Sequence, residues 1–88
     1  AGAVLIVDAR HPGLEKDIAA GEWLKALGVR LLVAATKADK LSRHRLTLAL
    51  AGHEKSLGER PIPFSAVTGA GRQELWSALF GLLRSRRA

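Results

Sequence analysis

Three short stretches concentrate the residues with chemical potential. They are Asp8-Ala9-Arg10-His11-Pro12, Thr36-Lys37-Ala38-Asp39-Lys40 and Ser65-Ala66-Val67-Thr68-Gly69. Each holds a carboxylate or a hydroxyl, and the first two add cations. Nucleophilic catalysis has little support, because Ser65 has no paired His and Asp in a nucleophile-elbow context and the chain has no cysteine. The missing cysteine also excludes disulfides and Cys-zinc sites. His11, His44 and His53 are scattered and show no ligand spacing with a third group nearby, so no metal site is expected. His53 falls on an apolar helical face and reads as a packed, hydrogen-bonded histidine. Asp8 could orient Arg10 or His11, but a solvent-facing strand cap is the favoured reading. What remains is recognition by charged and hydroxyl groups in loops.

Each stretch follows an apolar run. Ala3–Asp8 and Val29–Thr36 are continuous apolar segments, and Pro61–Ser65 is a shorter one. Unalternating runs suit strands covered on both faces, as in a parallel sheet. Pro61 and Pro63 cannot donate ladder hydrogen bonds, which places the third strand at an edge. Helical patterns lie between. Ala20, Trp23, Leu24 and Leu27 share one face, with Gly28 as the stop. Leu46, Ala49, Leu50, His53 and Leu57 share another, with Ser42 as cap and Gly58 as end. Leu75, Ala78, Leu79, Leu82 and Leu83 form a third, after a loop marked by Gly69 and Gly71. Trp23 and Trp76 are expected in or at the edge of the core. The order β-α-β-α-β-α predicts an α/β fold with a three-stranded parallel sheet. Consecutive strands should be adjacent, the first two helices on one sheet face and the third free to cover the other. Ligands of such sheets bind beyond the carboxyl ends of the strands, where the three stretches fall.

Length and charge narrow the reading. The chain has 88 residues, enough for one domain. It contains no apolar run long enough to span a membrane and no signal-peptide layout. The net charge is +6, with 14 Lys+Arg against 8 Asp+Glu. Much of the excess sits at Arg43, Arg45, Arg84, Arg86 and Arg87. A basic surface favours polyanionic partners, nucleic acid above all, or is simply a solubilising face. The chain has no methionine, even at position 1, and reads as a processed or excised piece.

Thr36-Lys37-Ala38-Asp39 after one strand and Ser65-Ala66 after the next resemble the two guanine-recognition motifs of the P-loop GTPases. With Asp8-Ala9-Arg10-His11-Pro12 and Leu41, the chain resembles the EngB (YihA/YsxC) ribosome-assembly GTPases in particular, although Der-type GTPases carry similar loops. Taken alone, Lys37 and Asp39 read as a solvated loop pair; the third loop and the topology turn the reading toward a ligand site. The resemblance implies a Rossmann-like half domain, residues 1–88 forming the C-terminal, guanine-recognition half. It implies GTP or GDP as ligand, with Asp39 accepting the guanine N1–H and amine together. Lys37 would lay its stem over the base, the Thr36 hydroxyl would tie neighbouring loops, and Ser65-Ala66 would bring a backbone N–H to guanine O6.

The chain departs from the family pattern in what it does not contain. No G-x-x-x-x-G-K-[ST] and no D-x-x-G occurs, so no catalytic residue and no magnesium ligand is identified and no GTP hydrolysis by this chain is expected. Magnesium belongs to the intact family member. Arg72 stands where an apolar residue commonly opens the last helix. The resemblance further implies a cytoplasmic protein acting in large ribosomal subunit assembly, cell division and septation, with ribosomal RNA as a partner. The alternative is a small basic nucleic-acid-binding α/β module using no nucleotide; no exposed aromatic platform is expected for it. Because the family's neighbour of the first strand is absent, self-association through Ala3–Asp8 is expected.

Overall fold

A computed structural model describes residues 2–84. Arg86 and Arg87, part of the basic excess, lie outside the described residues. The elements run β1 (Gly2–Asp8), α1 (Glu15–Ala26), β2 (Arg30–Thr36), a 3-10 turn (Ala38–Lys40), α2 (Arg43–Leu57), β3 (Ile62–Pro63) and α3 (Arg72–Arg84). The sheet order is β1-β2-β3, parallel throughout. This is the expected three-stranded α/β fold, with the proline-bearing strand at an edge. That strand is only two residues long, because Pro61 and Pro63 leave few N–H groups to extend the ladder.

Two layers cover the sheet. Val7, Ala9, Val33, Ala35 and Leu57 form the buried cluster on one face, joined by Leu5, Leu31, Ile18 of α1 and Leu46 and Leu50 of α2. The α2 face is the one its spacing predicts. Ser42 caps it by accepting from the Arg45 N–H at 3.2 Å. Gly58 ends it in the left-handed region, and the Lys25 ammonium donates to the Leu57 carbonyl there. On the opposite face α3 crosses β2 and brings Leu82 down over Gly2.

Three expectations need correction. The buried face of α1 runs through Asp17, Ile18, Gly21 and Leu24, and leaves Trp23 and Leu27 exposed. Gly21 is the reason: a Cβ there would sit 3.3 Å from Leu57 and 3.8 Å from Leu5, so the helix approaches the sheet most closely at its glycine. Trp76 is likewise exposed, and on α3 it stacks with exposed Phe80 at 5.9 Å between ring centroids. An exposed aromatic pair therefore exists where none was expected. Finally, β1 is packed along one face, while on the other only its Gly2 end lies under Leu82 of α3. Leu5 and Val7 pack inward, while Val4 and Ile6 point to the α3 side and are exposed. Strand β2 is the one buried from both sides, at Val33, Ala34 and Ala35.

Gly71 fixes the approach to α3. Its φ is +80°, and a Cβ would overlap the Pro63 carbonyl oxygen and lie 3.2 Å from the Phe64 Cα. Gly69 has a similar φ of +79° but open space around it. Gly71→Ala should therefore cost about 2–4 kcal/mol, and Gly69→Ala about 1 kcal/mol, the left-handed penalty alone. Urea unfolding of the two variants measures the difference.

Candidate functional site

All three chemically equipped loops meet at the carboxyl end of the sheet. Strand β2 ends at Thr36, whose hydroxyl donates to the Val7 carbonyl at 3.1 Å, while its own carbonyl accepts from the Ala9 N–H at 2.9 Å. The first two strand ends are thus clamped at Thr36. Lys37 then takes a left-handed conformation, φ 60° and ψ 32°, the one positive φ outside glycine among the described residues. That turn starts the 3-10 segment carrying Asp39. The Ala38 N–H donates to the Phe64 carbonyl at 3.1 Å, which ties this segment to the third strand end.

Ser65 is fully buried, with 0% of its surface exposed. Its hydroxyl donates to Asp39 Oδ1 at 2.7 Å and accepts from the Thr68 N–H at 3.1 Å. The chain of donors runs from backbone to hydroxyl to carboxylate, and each link polarises the next. Its main chain closes the loop: the Ser65 N–H donates to the Ala70 carbonyl at 3.0 Å, and the Gly69 N–H to the Ser65 carbonyl at 2.8 Å. Ser65 is therefore the support that aims Asp39. Ala66 next to it is exposed, and no hydrogen bond among the described residues occupies its N–H.

A cavity of about 330 Å³ opens between these loops, lined by Arg10, Thr36, Lys37, Asp39, Lys40, Phe64, Ala66 and Val67. Four of the five residues singled out in the sequence line it, and Ser65 stands behind it. Phe64, Ala66 and Val67 supply an apolar wall. Asp39 is the one carboxylate of the lining, and three cations stand around it. Such a lining suits a flat heterocycle with a hydrogen-donating edge, joined to an anion.

Arg10 lines the cavity although the sequence reading, which named it only as a group Asp8 could orient, did not place it among the site residues. Asp8 accepts from its Nε at 3.1 Å and from its Nη2 at 2.8 Å, and from its backbone N–H at 2.9 Å. Asp8 is thus an orienting group for Arg10, not merely a strand cap. The signal was the Asp-x-Arg spacing directly after a strand, where the chain turns back on itself. Lys40 and Val67 lie in the stretches singled out but were given no role there, and Phe64 was not singled out as a site residue. His53 is 1% exposed, and its Nε2 lies 3.0 Å from the Asp8 carbonyl oxygen, as expected of a packed, bonded histidine. Among the described residues no cluster of His, Cys, Asp or Glu could hold a metal ion.

The fork from Arg10 holds the Asp8 carboxyl well below the usual carboxylate range, and the same pairing raises the Arg10 value. Because the folded-state value is depressed, any stability from this pair is present above the ordinary carboxylate pKa and fades as pH falls through the folded one. A carboxyl-carbon NMR titration should show Asp8 titrating below the ordinary aspartate range, and Arg10→Ala should raise it toward that range. Ser65→Ala strands both Asp39 Oδ1 and the Thr68 N–H. It should lower stability by about 1–2 kcal/mol in urea unfolding and broaden the amide signals of residues 38–40.

No known family's sequence profile matches the chain. Individual proteins do. It is 51% identical over 82 residues to the Probable GTP-binding protein EngB of Anaeromyxobacter sp. (strain K), a match covering 90% of this chain and 38% of that protein. It is 39% identical over 82 residues to the like-named protein of Solibacter usitatus, and 40% identical over 87 residues to that of Geobacillus kaustophilus. A crystal structure of a probable GTP-binding protein engB superposes with a TM-score of 0.82 at 23% identity, over 94% of this chain and 55% of that one, which establishes the shared fold. The chain spans about two-fifths of the length of the relatives it matches. Over that span, the chain belongs to the EngB family of GTP-binding proteins.

Proposed function

We propose that residues 1–88 carry the guanine-recognition half of an EngB-type GTPase domain, with Thr36, Lys37, Asp39, Ser65 and Ala66 as the base site. The observation that carries this reading is the Ser65-held carboxylate of Asp39 at the edge of a cavity with an apolar wall. Guanine presents two donors, N1–H and the exocyclic amine, on one edge. A carboxylate can accept both, and these charge-assisted bonds are the strong kind. Adenine has no such pair of donors. Lys37 covers the base with its methylene stem while its ammonium stays in water. The Ala66 N–H donates to guanine O6, and the small side chain permits the approach.

The chemistry beyond the base is proposed for the longer protein only. There, by family resemblance, GTP and GDP bind with magnesium, GTP is hydrolysed, and the protein acts in the cytoplasm in large ribosomal subunit assembly, cell division and septation. Among the described residues no group of three or more His, Cys, Asp or Glu could hold a metal ion, and no magnesium ligand is proposed in this chain. No step of hydrolysis is assigned to them. No helix of the described residues is long and apolar enough to cross a membrane.

One observation favours a second reading, a basic nucleic-acid-binding module. The stacked Trp76–Phe80 pair is exposed on α3, and exposed aromatics are what single-strand binders use. Titration with a short single-stranded RNA at two salt concentrations tests it. Salt-dependent affinity lost in Trp76→Ala and unaffected by Asp39→Asn supports that reading.

The base site has its own test. Guanosine, GDP and GTP should shift the NMR signals of Lys37, Asp39 and Ala66 with about equal affinity, near 1 mM or weaker, worth about −4 kcal/mol or less in magnitude. Adenosine should have no effect, and magnesium should change little. Asp39→Asn pairs an acceptor and a donor, so guanosine should be lost and xanthosine gained, xanthine having a carbonyl where guanine has its amine. Guanosine affinity within twofold of the unaltered chain in Asp39→Asn would remove Asp39 from the site. Tight, magnesium-dependent GTP binding, or GTP hydrolysis by this chain, would overturn the division of labour.

A further inference from the structure

The base site proposed above leaves one acceptor of guanine without a donor. Asp39 takes the N1–H and the amine, and the Ala66 N–H goes to O6. N7, beside O6 on the same edge of the purine, has no partner in that set. Thr36 does not supply one, because its hydroxyl hydrogen is spent on the Val7 carbonyl at 3.1 Å. The Ser65 hydroxyl is spent on Asp39 and is fully buried. The cavity lining offers three cations, Arg10, Lys37 and Lys40. Lys37 covers the base, and no hydrogen bond among the described residues fixes the exposed Lys40 ammonium. Arg10 is different, because its direction is set. The Asp8 carboxylate accepts from Nε at 3.1 Å and from Nη2 at 2.8 Å. The turn that carries this pair is braced from α2, where His53 Nε2 lies 3.0 Å from the Asp8 carbonyl oxygen. A carbonyl oxygen only accepts, so Nε2 is the protonated nitrogen and donates to it.

We infer that Arg10 is a nucleotide-contacting residue that donates to guanine N7, and that Asp8 is the positioning residue that aims it. The inference rests on the reading of the cavity as a guanine site. Three observations support it. First, the right donors are free. A guanidinium carries its N–H groups in a planar fork, and Asp8 takes only the Nε–Nη2 side. Both Nη1 hydrogens and the second Nη2 hydrogen have no bond among the described residues, and the side chain is 37% exposed. Second, that open end of the fork matches the ligand. Two parallel donors of an arginine pair with the adjacent O6 and N7 acceptors when arginine reads guanine. O6 has two lone pairs, so a bond from the Ala66 N–H leaves one for the fork to share. Third, the charges are laid out to suit the base. The Arg10 value is raised chiefly by Asp8 and, as a lesser cause, by the charge of Asp39, so Arg10 and Asp39 sense one another across the cavity. The donor edge of guanine then meets the carboxylate, and its acceptor edge meets the guanidinium. A lysine at this position could not bond Asp8 through two donors and present two more in the same plane.

A 7-deazaguanine base isolates this bond, since it carries a C–H in place of N7 and keeps N1–H, the amine and O6. GDP and 7-deaza-GDP are titrated in parallel into this chain and followed by the NMR signals of Lys37, Asp39 and Ala66. GDP should bind about three- to tenfold more tightly than 7-deaza-GDP, the worth of one exposed charge-assisted bond. The Arg10 Nε signal should move with GDP and stay in place with 7-deaza-GDP. In Arg10→Ala the ratio of the two affinities should fall to about one. Arg10→Lys keeps the positive charge without the fork and should give the same collapse. Asp8→Asn leaves Arg10 in the chain but loosens its anchor, and the ratio should fall below about twofold. The comparison of the two ligands on the unaltered chain needs no variant and stands even if a variant fails to fold. Equal binding of the two ligands by the unaltered chain overturns the inference and leaves the base site in place. So does a ratio that persists in Arg10→Ala; an equal loss of both ligands there would mark Arg10 as a contact of the phosphates instead. Absence of any shift by GDP at Lys37, Asp39 and Ala66 overturns the base site and the N7 bond together.

Discussion

The buried hydroxyl of Ser65 is the interaction on which the cavity end of the molecule depends. Its oxygen joins a backbone N–H of the third loop to a carboxylate of the second. Its own peptide groups close the third loop through Ala70 and Gly69. A serine is the smallest residue that can donate and accept at one atom while leaving no surface exposed. Aiming Asp39 this way holds the carboxylate in one direction at the cavity edge. Around it the sheet supplies the frame: β2 is buried from both sides, and its end is clamped to β1 by Thr36 and to β3 through Phe64.

Much of this was legible in the sequence, for identifiable reasons. The helix α2 shows its cap, its apolar spacing and its terminal glycine, each a local signal that agrees with the packing. The apolar runs ending in Asp8 and Thr36 mark strands and place their loops at one end of the sheet. The prolines near Ile62 predict an edge. Of the cavity, the residues carried by recognisable spacing were found: Thr36, Lys37, Asp39 and Ala66 line it, and Ser65 supports it.

What the sequence concealed depends on non-local contact. The face of α1 turned out to be centred on Gly21, because close approach to Leu57 and Leu5 rewards the absence of a side chain and not apolarity. Trp23 and Trp76 look like core residues by type, yet nothing in an apolar residue's identity states whether a neighbour lies over it. The apolar run of β1 fails to alternate, although one of its faces is packed only at its Gly2 end. Arg10 enters the cavity lining through a short-range turn around Asp8, a pairing that spacing allows but does not require.

The backbone of Lys37 has a consequence for how the site tolerates substitution. A residue with a Cβ in the left-handed region is strained by about 1–2 kcal/mol relative to its relaxed state, and it stays there only because surrounding contacts over-determine it. Those contacts are the Thr36 clamp before it and the Ala38-to-Phe64 bond after it. The Ser65 hydroxyl adds a third hold by bonding Asp39 two residues on, so the left-handed turn is braced from three sides. The direction of the Asp39 carboxylate and the unusual backbone of Lys37 are therefore set by one shared group of contacts, and a substitution at any of them is felt at both.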